Sequence, residues 1–232
     1  MPSAFDDRER DAIRARLLGA AMDALGRGGL GAASVAELAR AASIAKGSFY
    51  AFYASKEELF MEALESIEDG YRERFAKAAA GGGSPLERLR RAFTAAFRMI
   101  DEEPALRYVD AATTERLARA LPPERVARHG ERDAAAIARI AEDWRSEGLL
   151  AEGVGELELA GAGYAVFLVS MGLRNLPEAL KEATETVAVR GLALALCGGP
   201  VPVASPEAAS AAVSAGPEPA LRAEAGKKGK GS

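Results

Sequence analysis

Hydroxyl and ammonium groups that can bind phosphate are concentrated between Ser34 and Lys56. Ser48 and Tyr50 offer hydroxyl groups, and Ser34 leaves backbone N–H groups free at a helix start, where a phosphate can accept from them. Lys46 and Lys56 offer cations that form charge-assisted hydrogen bonds with phosphate oxygens. Gly47 has no side chain, so the backbone beside Lys46 can approach a ligand closely. These residue types point to binding of a nucleic-acid backbone. The candidate contact residues are Ser34, Val35, Ala45, Lys46, Gly47, Ser48, Tyr50 and Lys56.

Two short helices joined by a tight turn must position these groups. Ser34 followed by Glu37 is the pattern of a capping box, which predicts that a first helix begins there and runs over 35–41. A second short helix is predicted over 45–51. Two such helices flanked by longer amphipathic ones indicate a helix-turn-helix at about 34–53, whose second helix would lie in the major groove.

The residues of this motif resemble those of the tetracycline-repressor (TetR) family of transcriptional regulators. The resemblance covers about residues 10–64 and is carried by SVAELARAA at 34–42, SIAKGSFY at 43–50 and SKEELF at 55–60. It implies an all-α fold, a dimer that binds double-stranded DNA, and a small-molecule effector. The predicted domains are a helix-turn-helix DNA-binding domain at 1–55, a helical effector-binding and dimerisation domain at 56–197, and a disordered tail at 198–232.

Three positions depart from the pattern of the family. Ser43 stands in the turn where glycine is usual, and serine tolerates this position at a modest conformational cost. Ala45 replaces a frequent serine and removes a phosphate donor, and Ala51 occupies a position that is often polar. The recognition surface is therefore poor in base-reading groups. We expect specificity to depend partly on apolar contacts with thymine methyl groups or on DNA shape.

Apolar residues recur at helical spacing along most of the chain and predict an all-α fold. About nine helices are expected: an N-terminal three-helix helix-turn-helix domain followed by a helical ligand-binding and dimerisation bundle. One of them is predicted to include both Leu106 and Leu117. From residue 198 the composition changes to Ala, Pro, Ser and Gly, which lacks the apolar bulk of a packed core.

Aromatic and sulfur-containing side chains in the middle helices suggest a cavity for a small apolar or amphipathic effector. Such residues at helical spacing are also ordinary core residues, and this alternative stays open for each of them. Arg107, Arg145 and Arg174 are candidates to orient an acidic group of a ligand, although a solvated surface position is the favoured interpretation for each. The candidate cavity residues are Phe93, Phe97, Tyr108, Trp144, Tyr164, Phe167 and Met171.

The last two helices, at about 155–196, are the predicted homodimer surface. A single recognition helix reads few base pairs, so helix-turn-helix proteins usually bind near-palindromic sites as two-fold dimers. The alternative is that these helices only cover the core of one subunit. The residues expected at the surface are the small Gly161, Gly163, Ala183 and Ala188 and the apolar Leu180, Val187 and Leu194.

Charge and composition limit the classes of function. The chain has 30 Lys and Arg against 34 Asp and Glu, and residues 1–60 carry 8 cations and 8 anions, so few phosphate contacts are expected per subunit. The only histidine, His129, is predicted to face solvent, and the only cysteine, Cys197, excludes a cysteine-based zinc site. No nucleophile motif or nucleotide-binding loop is present, so no catalytic residue, metal or cofactor is predicted.

The sequence thus predicts a cytoplasmic, ligand-responsive DNA-binding regulator that acts as a repressor. No apolar run reaches the roughly 18 residues of a membrane span, so no membrane partner is expected. Three alternatives remain: a DNA-binding factor without an effector, which is either architectural or activating, a helical interaction protein that has lost DNA binding, and an all-α enzyme.

Overall fold

The computed structural model describes residues 6–108 and 111–198. Within those residues the chain forms eight α-helices and three short 3-10 segments, with no β-strand. The predicted all-α fold is confirmed. The helices are α1 (Asp7–Gly28), α2 (Val35–Ala41), α3 (Lys56–Ala78), α4 (Pro85–Glu102), α5 (Ala111–Ala120), α6 (Pro123–Ser146), α7 (Glu156–Leu173) and α8 (Glu178–Cys197), and the 3-10 segments are Gly29–Gly31, Lys46–Ala51 and Pro104–Tyr108.

Side-chain caps fix where several helices begin. The hydroxyl of Ser34 accepts from the backbone N–H of Glu37 at 3.3 Å, and the Glu37 carboxylate accepts from the Ser34 N–H at 2.7 Å, which confirms the predicted capping box of α2. Ser55 caps α3 by accepting from the Glu58 N–H at 3.1 Å. Glu58 does not return its carboxylate to Ser55, because it pairs with Arg125 of α6 instead. The start of α3 is therefore bonded to α6. We call α4 to α8, together with the part of α3 that packs on them, the body.

Helix α3 is the element that runs from the motif into the body. It packs against α1 near its beginning and against α4, α5 and α6 further along. Helix α4 in turn packs against α7 and α8. The side chains of Leu17, Phe60 and Phe93 are fully buried, so one continuous apolar core extends from α1 through α3 to α4.

Two of the predicted elements differ in the structure. The second helix of the motif is a 3-10 segment, with the Ser48 N–H bonded to the Ala45 carbonyl at 2.9 Å, because so short a helix closes few α-type hydrogen bonds. The helix expected to include Leu106 and Leu117 is divided into the segment Pro104–Tyr108 and α5. The division follows from packing, since Pro104–Tyr108 lies against α1.

Helix α7 is the one described helix that is long and apolar enough to cross a bilayer, with a mean hydropathy of 1.3 over 18 residues. The uninterrupted apolar run is shorter, because Glu156 and Glu158 stand in its first turn. It packs against α4, α6 and α8, and 28% of this span is buried.

Candidate nucleic-acid interface and effector cavity

The turn between α2 and the segment Lys46–Ala51 depends on a left-handed residue. Ser43 has a φ of 60°, and it is the only described non-glycine residue with positive φ. The Ser43 N–H bonds to the Arg40 carbonyl at 3.0 Å and the Ile44 N–H to the Ala39 carbonyl at 2.9 Å, the paired bonds of a Schellman motif. This conformation costs a serine more than a glycine, which is why the glycine usual in the family is the less strained choice.

Phe49 anchors the recognition segment to the rest of the domain. Its side chain is fully buried, and its ring lies 5.5 Å from the ring of Tyr50 and 5.9 Å from that of Tyr53. Burial of Phe49 turns the opposite face of the segment outward. Tyr50 is accordingly 56% exposed, and Lys46 and Gly47 are exposed beside it. This outward face is the surface that the sequence assigns to DNA.

Two arginines of α1 donate hydrogen bonds to backbone carbonyls at the C-terminal ends of the two short helical elements of the motif. The Arg16 guanidinium donates to the Ala42 carbonyl at 3.0 Å, at the end of α2. The Arg10 guanidinium donates to the Ala51 carbonyl at 3.2 Å and lies 5.1 Å from the centre of the Phe52 ring. These cations satisfy carbonyls that a helix end leaves without a partner. Sequence reasoning missed this role, since the contacts span more than twenty residues of chain.

Lys56 is held inside the domain as well. Its ammonium donates to the Leu30 carbonyl at 2.9 Å and the Ala33 carbonyl at 3.2 Å, and it lies 5.7 Å from the Phe60 ring centre. An ammonium group has three donors, so one N–H of Lys56 is left for a phosphate. Its predicted contact with DNA stays a prediction, and its bonds to the segment before α2 are an additional, structural role.

The remaining predicted contacts differ in exposure. Ser34 and Ala45 are exposed, whereas Val35 and Ser48 are half-buried. Lys46 forms no ion pair and no side-chain hydrogen bond with any described residue, so its charge is available to a partner. The structure brings Lys46, Ser48 and Tyr50 together on one short segment. Their contact with DNA remains a prediction.

The body contains a cavity of about 710 Å³, within the size range of drug-sized ligand sites. Helices α3 to α7 and the segment Pro104–Tyr108 contribute to its wall, which is apolar over most of its surface. Residues of the wall are Glu68, Tyr71, Arg72, Phe75, Phe93, Ile100, Leu106, Glu115, Ala118, Asp133, Ile137, Ile140, Leu159, Ala160, Gly163, Tyr164, Val166 and Phe167.

Three of the predicted cavity residues, Phe93, Tyr164 and Phe167, lie in this wall. Phe97 and Trp144 are each 3% exposed and lie outside the wall, and Met171 is half-buried outside it. Trp144 packs against Phe75, with ring centres 5.1 Å apart, and so lies behind the wall. The side chain of Tyr108 lies outside the described part of the chain.

Charged side chains between α3 and α6 form one polar end of the cavity. Arg72 donates to Asp133 at 2.6 Å and to Glu68 at 3.3 Å. Next to it, Arg125 makes a bidentate pair with Glu65 at 2.7 and 2.8 Å, and Glu65 is only 8% exposed. The sequence reading missed this cluster. The available signal was the spacing of Glu65, Glu68 and Arg72, which places the three on one face of α3.

His129 lies inside this cluster, contrary to the prediction that it faces solvent. Its side chain is 18% exposed, and its Nε2 atom lies 3.8 Å from Glu68 and 3.6 Å from Asp133. Ligand atoms of these three residues lie within 4.8 Å of one another, a spacing that a metal ion could bridge. The Arg72 guanidinium already stands between the two carboxylates, so this trio does not fit a metal without displacing that arginine.

The pKa values of two carboxyls in this cluster are shifted in opposite directions. Burial and the nearby Asp133 raise the pKa of Glu68 to about 7, since both disfavour its charged form. Glu65 is also desolvated, but hydrogen bonds and attraction from Arg125, His129 and Arg132 lower its pKa below the usual range. Glu65 therefore stays ionised near neutral pH, whereas Glu68 binds and releases a proton there.

Comparison with known proteins begins with the DNA-binding segment. Residues 17–63 match the family described as "Bacterial regulatory proteins, tetR family". The HTH-type transcriptional repressor KstR2 of Mycobacterium tuberculosis is 36% identical over 92 residues, which cover 40% of this chain and 46% of KstR2. The match thus spans about half the length of that curated relative.

Solved structures match over most of the chain. A TetR-family transcriptional regulator from Rhodococcus sp. has a TM-score of 0.60 at 17% identity, over 80% of this chain and 99% of its own. The regulator FadR from Bacillus subtilis, solved with stearoyl-CoA, has a TM-score of 0.51 at 16% identity, over 76% and 98% of the two chains. The described residues form an all-α fold shared with solved TetR-family structures. Together with the family match of residues 17–63, this confirms the resemblance seen in the sequence.

Proposed function

We propose that this protein is a ligand-responsive transcriptional repressor that binds a near-palindromic operator as a homodimer and is released by a small molecule. The observation that carries this proposal is the course of α3. The helix starts beside the recognition segment, where Lys56 holds the residues before α2, and it later contributes Glu68, Arg72 and Phe75 to the cavity wall. One rigid element thus connects a DNA-facing surface with a cavity.

A second connection supports the same coupling. Leu106 belongs to the cavity wall, and Pro104 and Ala105 beside it lie against α1. At Gly26 of α1, an added Cβ atom would stand 3.3 Å from the Pro104 side chain, so the two backbones are in close contact. An effector that moves α3 or Leu106 would reorient the motif. By thermodynamic linkage, the effector can lower the affinity of the protein for the operator only by a limited factor. That factor is the ratio of the effector's affinities for the DNA-free and the DNA-bound protein.

The proposed dimer surface is the outer face of α7 and α8. Apart from Tyr50, every large hydrophobic side chain that is exposed in the described residues lies on these helices or on the turn between them. Leu157, Tyr164 and Leu168 follow one face of α7, and Leu180 and Val187 follow one face of α8. Exposed apolar stripes of this kind mark interaction surfaces, and a second copy of the chain satisfies both at once.

One residue assigned to the dimer surface lies elsewhere in the structure. Leu194 is 7% exposed and belongs to the core of the subunit, because it falls on the inner face of α8. Gly163 and Tyr164 also border the cavity. Gly161 keeps its assignment as a position that permits close approach, since an added Cβ atom there meets nothing within 4 Å.

The finer assignments are also proposals. We place the DNA-binding domain at 1–55, the effector-binding and dimerisation domain at 56–197, and the protein in the cytoplasm, where operator DNA is found. The predicted tail, 198–232, lies outside the described residues except for Gly198. A binding role without catalysis accounts for both the DNA-facing surface and the cavity. The printed names of KstR2 as a repressor and of FadR in complex with stearoyl-CoA support repression and effector binding.

Footprinting on the DNA around the protein's own gene tests the proposal. We expect protection of two half-sites about one or two helical turns apart. The double variant Lys46→Ala, Tyr50→Ala should lose this protection, and Lys77→Ala, an exposed lysine at the far end of α3, should keep it. If the double variant binds all DNA as well as the parent protein, the assigned surface is wrong.

Sedimentation tests the dimer separately. Val187→Asp, which charges an exposed apolar position, should shift the protein from dimer to monomer and weaken operator binding. An unchanged dimer in that variant and in Leu168→Asp would contradict the assigned surface.

A further inference from the structure

The charged groups of the cavity wall do not balance. Three carboxylates, those of Glu68, Glu115 and Asp133, and one guanidinium, that of Arg72, line it, so the wall carries a formal charge of −2 when all are ionised. Glu115 pairs with Arg119 outside the cavity. The polar end, made of Glu68, Arg72 and Asp133, therefore keeps one uncompensated negative charge.

The basic neighbours of this polar end are shared with other carboxylates. The His129 ring faces three of them, with Nδ1 3.3 Å from Glu65 and Nε2 3.8 Å from Glu68 and 3.6 Å from Asp133. Arg72 also bonds to Asp69 at 3.3 Å, so one guanidinium serves three carboxylates. Arg125 and Arg132 are paired with other carboxylates of α3, namely Glu58, Glu65 and Asp69. A group enclosed in this way must take up a proton or a counterion.

We propose that the cavity selects effectors that carry a cationic group, such as a protonated amine, on an apolar body. The ammonium would contact Glu68 and Asp133 from the cavity side, with Arg72 left in place, while the apolar body would contact Phe75, Phe93 and Ile137. This inference rests on the proposed function, since it specifies the chemical class of the effector in that cavity. An anionic head group is disfavoured, because Arg72 is already surrounded by carboxylates that would repel it.

The direction of the Glu68 pKa agrees with this geometry. Burial and Asp133 hold its pKa near 7, so the empty cavity keeps a proton there that a bound cation would replace. An organic cation is preferred to a metal ion for two reasons. Most of the wall is apolar, and a metal at Glu68, His129 and Asp133 would have to displace Arg72.

Three probes with one chain length and different head groups test the proposal: dodecylammonium, dodecanol and dodecanoate, each below its micelle concentration. Binding to the full-length protein is measured by calorimetry and by fluorescence of Trp144, the only tryptophan, which packs against the wall residue Phe75. We expect the ammonium probe to bind at least about tenfold more tightly than the other two, as expected for a charge-assisted contact.

Variants assign the selectivity to the polar end. Glu68→Gln should reduce binding of the ammonium probe about tenfold and leave dodecanol binding unchanged. Glu73→Gln, an exposed glutamate on the same helix, is the matched control and should change neither. Asp133→Asn provides a second test if Glu68→Gln is poorly folded by circular dichroism.

Equal or tighter binding of dodecanoate would overturn the proposal, as would saturation by zinc or magnesium chloride alone with loss of ammonium binding. Binding by none of the three probes would overturn the assignment of this cavity as the effector site. Operator footprinting on the same preparation keeps these failures distinct from failure of the proposed DNA-binding function.

Discussion

The two regions of the molecule use their basic side chains differently. In the DNA-binding domain, Arg10 and Arg16 donate to backbone carbonyls at the ends of the motif. In the body, Arg72 and Arg125 pair with carboxylates between α3 and α6. The first arrangement fixes the shape of a surface without introducing acidic groups beside it. The second concentrates acidic groups beside a cavity. The local charge of each region therefore depends on whether its arginines bind neutral carbonyl oxygens or charged carboxylate oxygens.

The largest expected effect comes from removing the Phe49 ring. It tests whether this ring or the arginine contacts hold the recognition segment in place. Phe49→Ala removes a fully buried ring and should lower the free energy of unfolding by about 3–5 kcal/mol, together with loss of operator binding. Chemical denaturation followed by circular dichroism measures the first, and footprinting measures the second. A loss below about 1 kcal/mol would mean that the arginine contacts, and not this ring, hold the recognition segment in place.

Next in size is the removal of one partner from the ionic cluster of the body. Arg125→Ala leaves Glu65 buried without its bidentate partner, so we expect a loss of about 3 kcal/mol of unfolding free energy. Arg10→Ala, the matched change in the other region, removes one exposed contact with a carbonyl and should cost less than about 1 kcal/mol. Equal losses would abolish the distinction between the two regions.

The ionisation of Glu68 gives a smaller effect that depends on pH. Its pKa is raised to about 7 in the folded state, so the folded protein binds more protons than the unfolded chain between about pH 4.5 and 7. This contribution to stability is lost as pH rises through that window. Glu68→Gln removes the carboxyl from its neighbours Arg72, His129 and Asp133. The stability of the variant relative to the parent should therefore rise by about 1–2 kcal/mol between pH 5 and pH 8.

The matched control for this experiment is again Glu73→Gln. Glu73 is exposed, and its pKa is lowered by Lys77, so the difference between that variant and the parent should stay flat over the same pH range. A flat difference for Glu68→Gln as well would show that the Glu68 carboxyl is ionised throughout.

The smallest expected effect is a gain. Ser43→Gly places glycine at the position with a φ of 60° and should raise the free energy of unfolding by about 0.5–1 kcal/mol, the relief of left-handed strain less the greater entropy of the unfolded chain. Ser34→Gly, a change at a cap with extended backbone, is the comparison and should give no gain. Destabilisation by Ser43→Gly would show that the serine side chain contributes to the turn.

Local patterns predicted much of the fold, because helix caps and apolar periodicity are encoded within a few residues. Ser34 with Glu37, and Ser55, marked the starts of α2 and α3 correctly. The 3-10 form of Lys46–Ala51 and the division at Pro104–Tyr108 were not predicted, since both depend on packing. On the candidate DNA surface, the sequence identified the outward residues but gave Lys56 no structural role. In the cavity it found Phe93, Tyr164 and Phe167, and it missed the charged end because those pairs join residues about sixty positions apart.

The inward use of Arg10, Arg16 and Lys56 has a consequence for how the protein finds its operator. A genome presents a very large number of competing non-specific sites, which hold a basic protein by its outward charge alone. A domain with equal numbers of cations and anions, and with several of those cations bound to its own carbonyls, is held weakly by such sites. On the proposed function, a larger share of the molecules is therefore free to search, and fewer copies per cell suffice to keep one operator occupied.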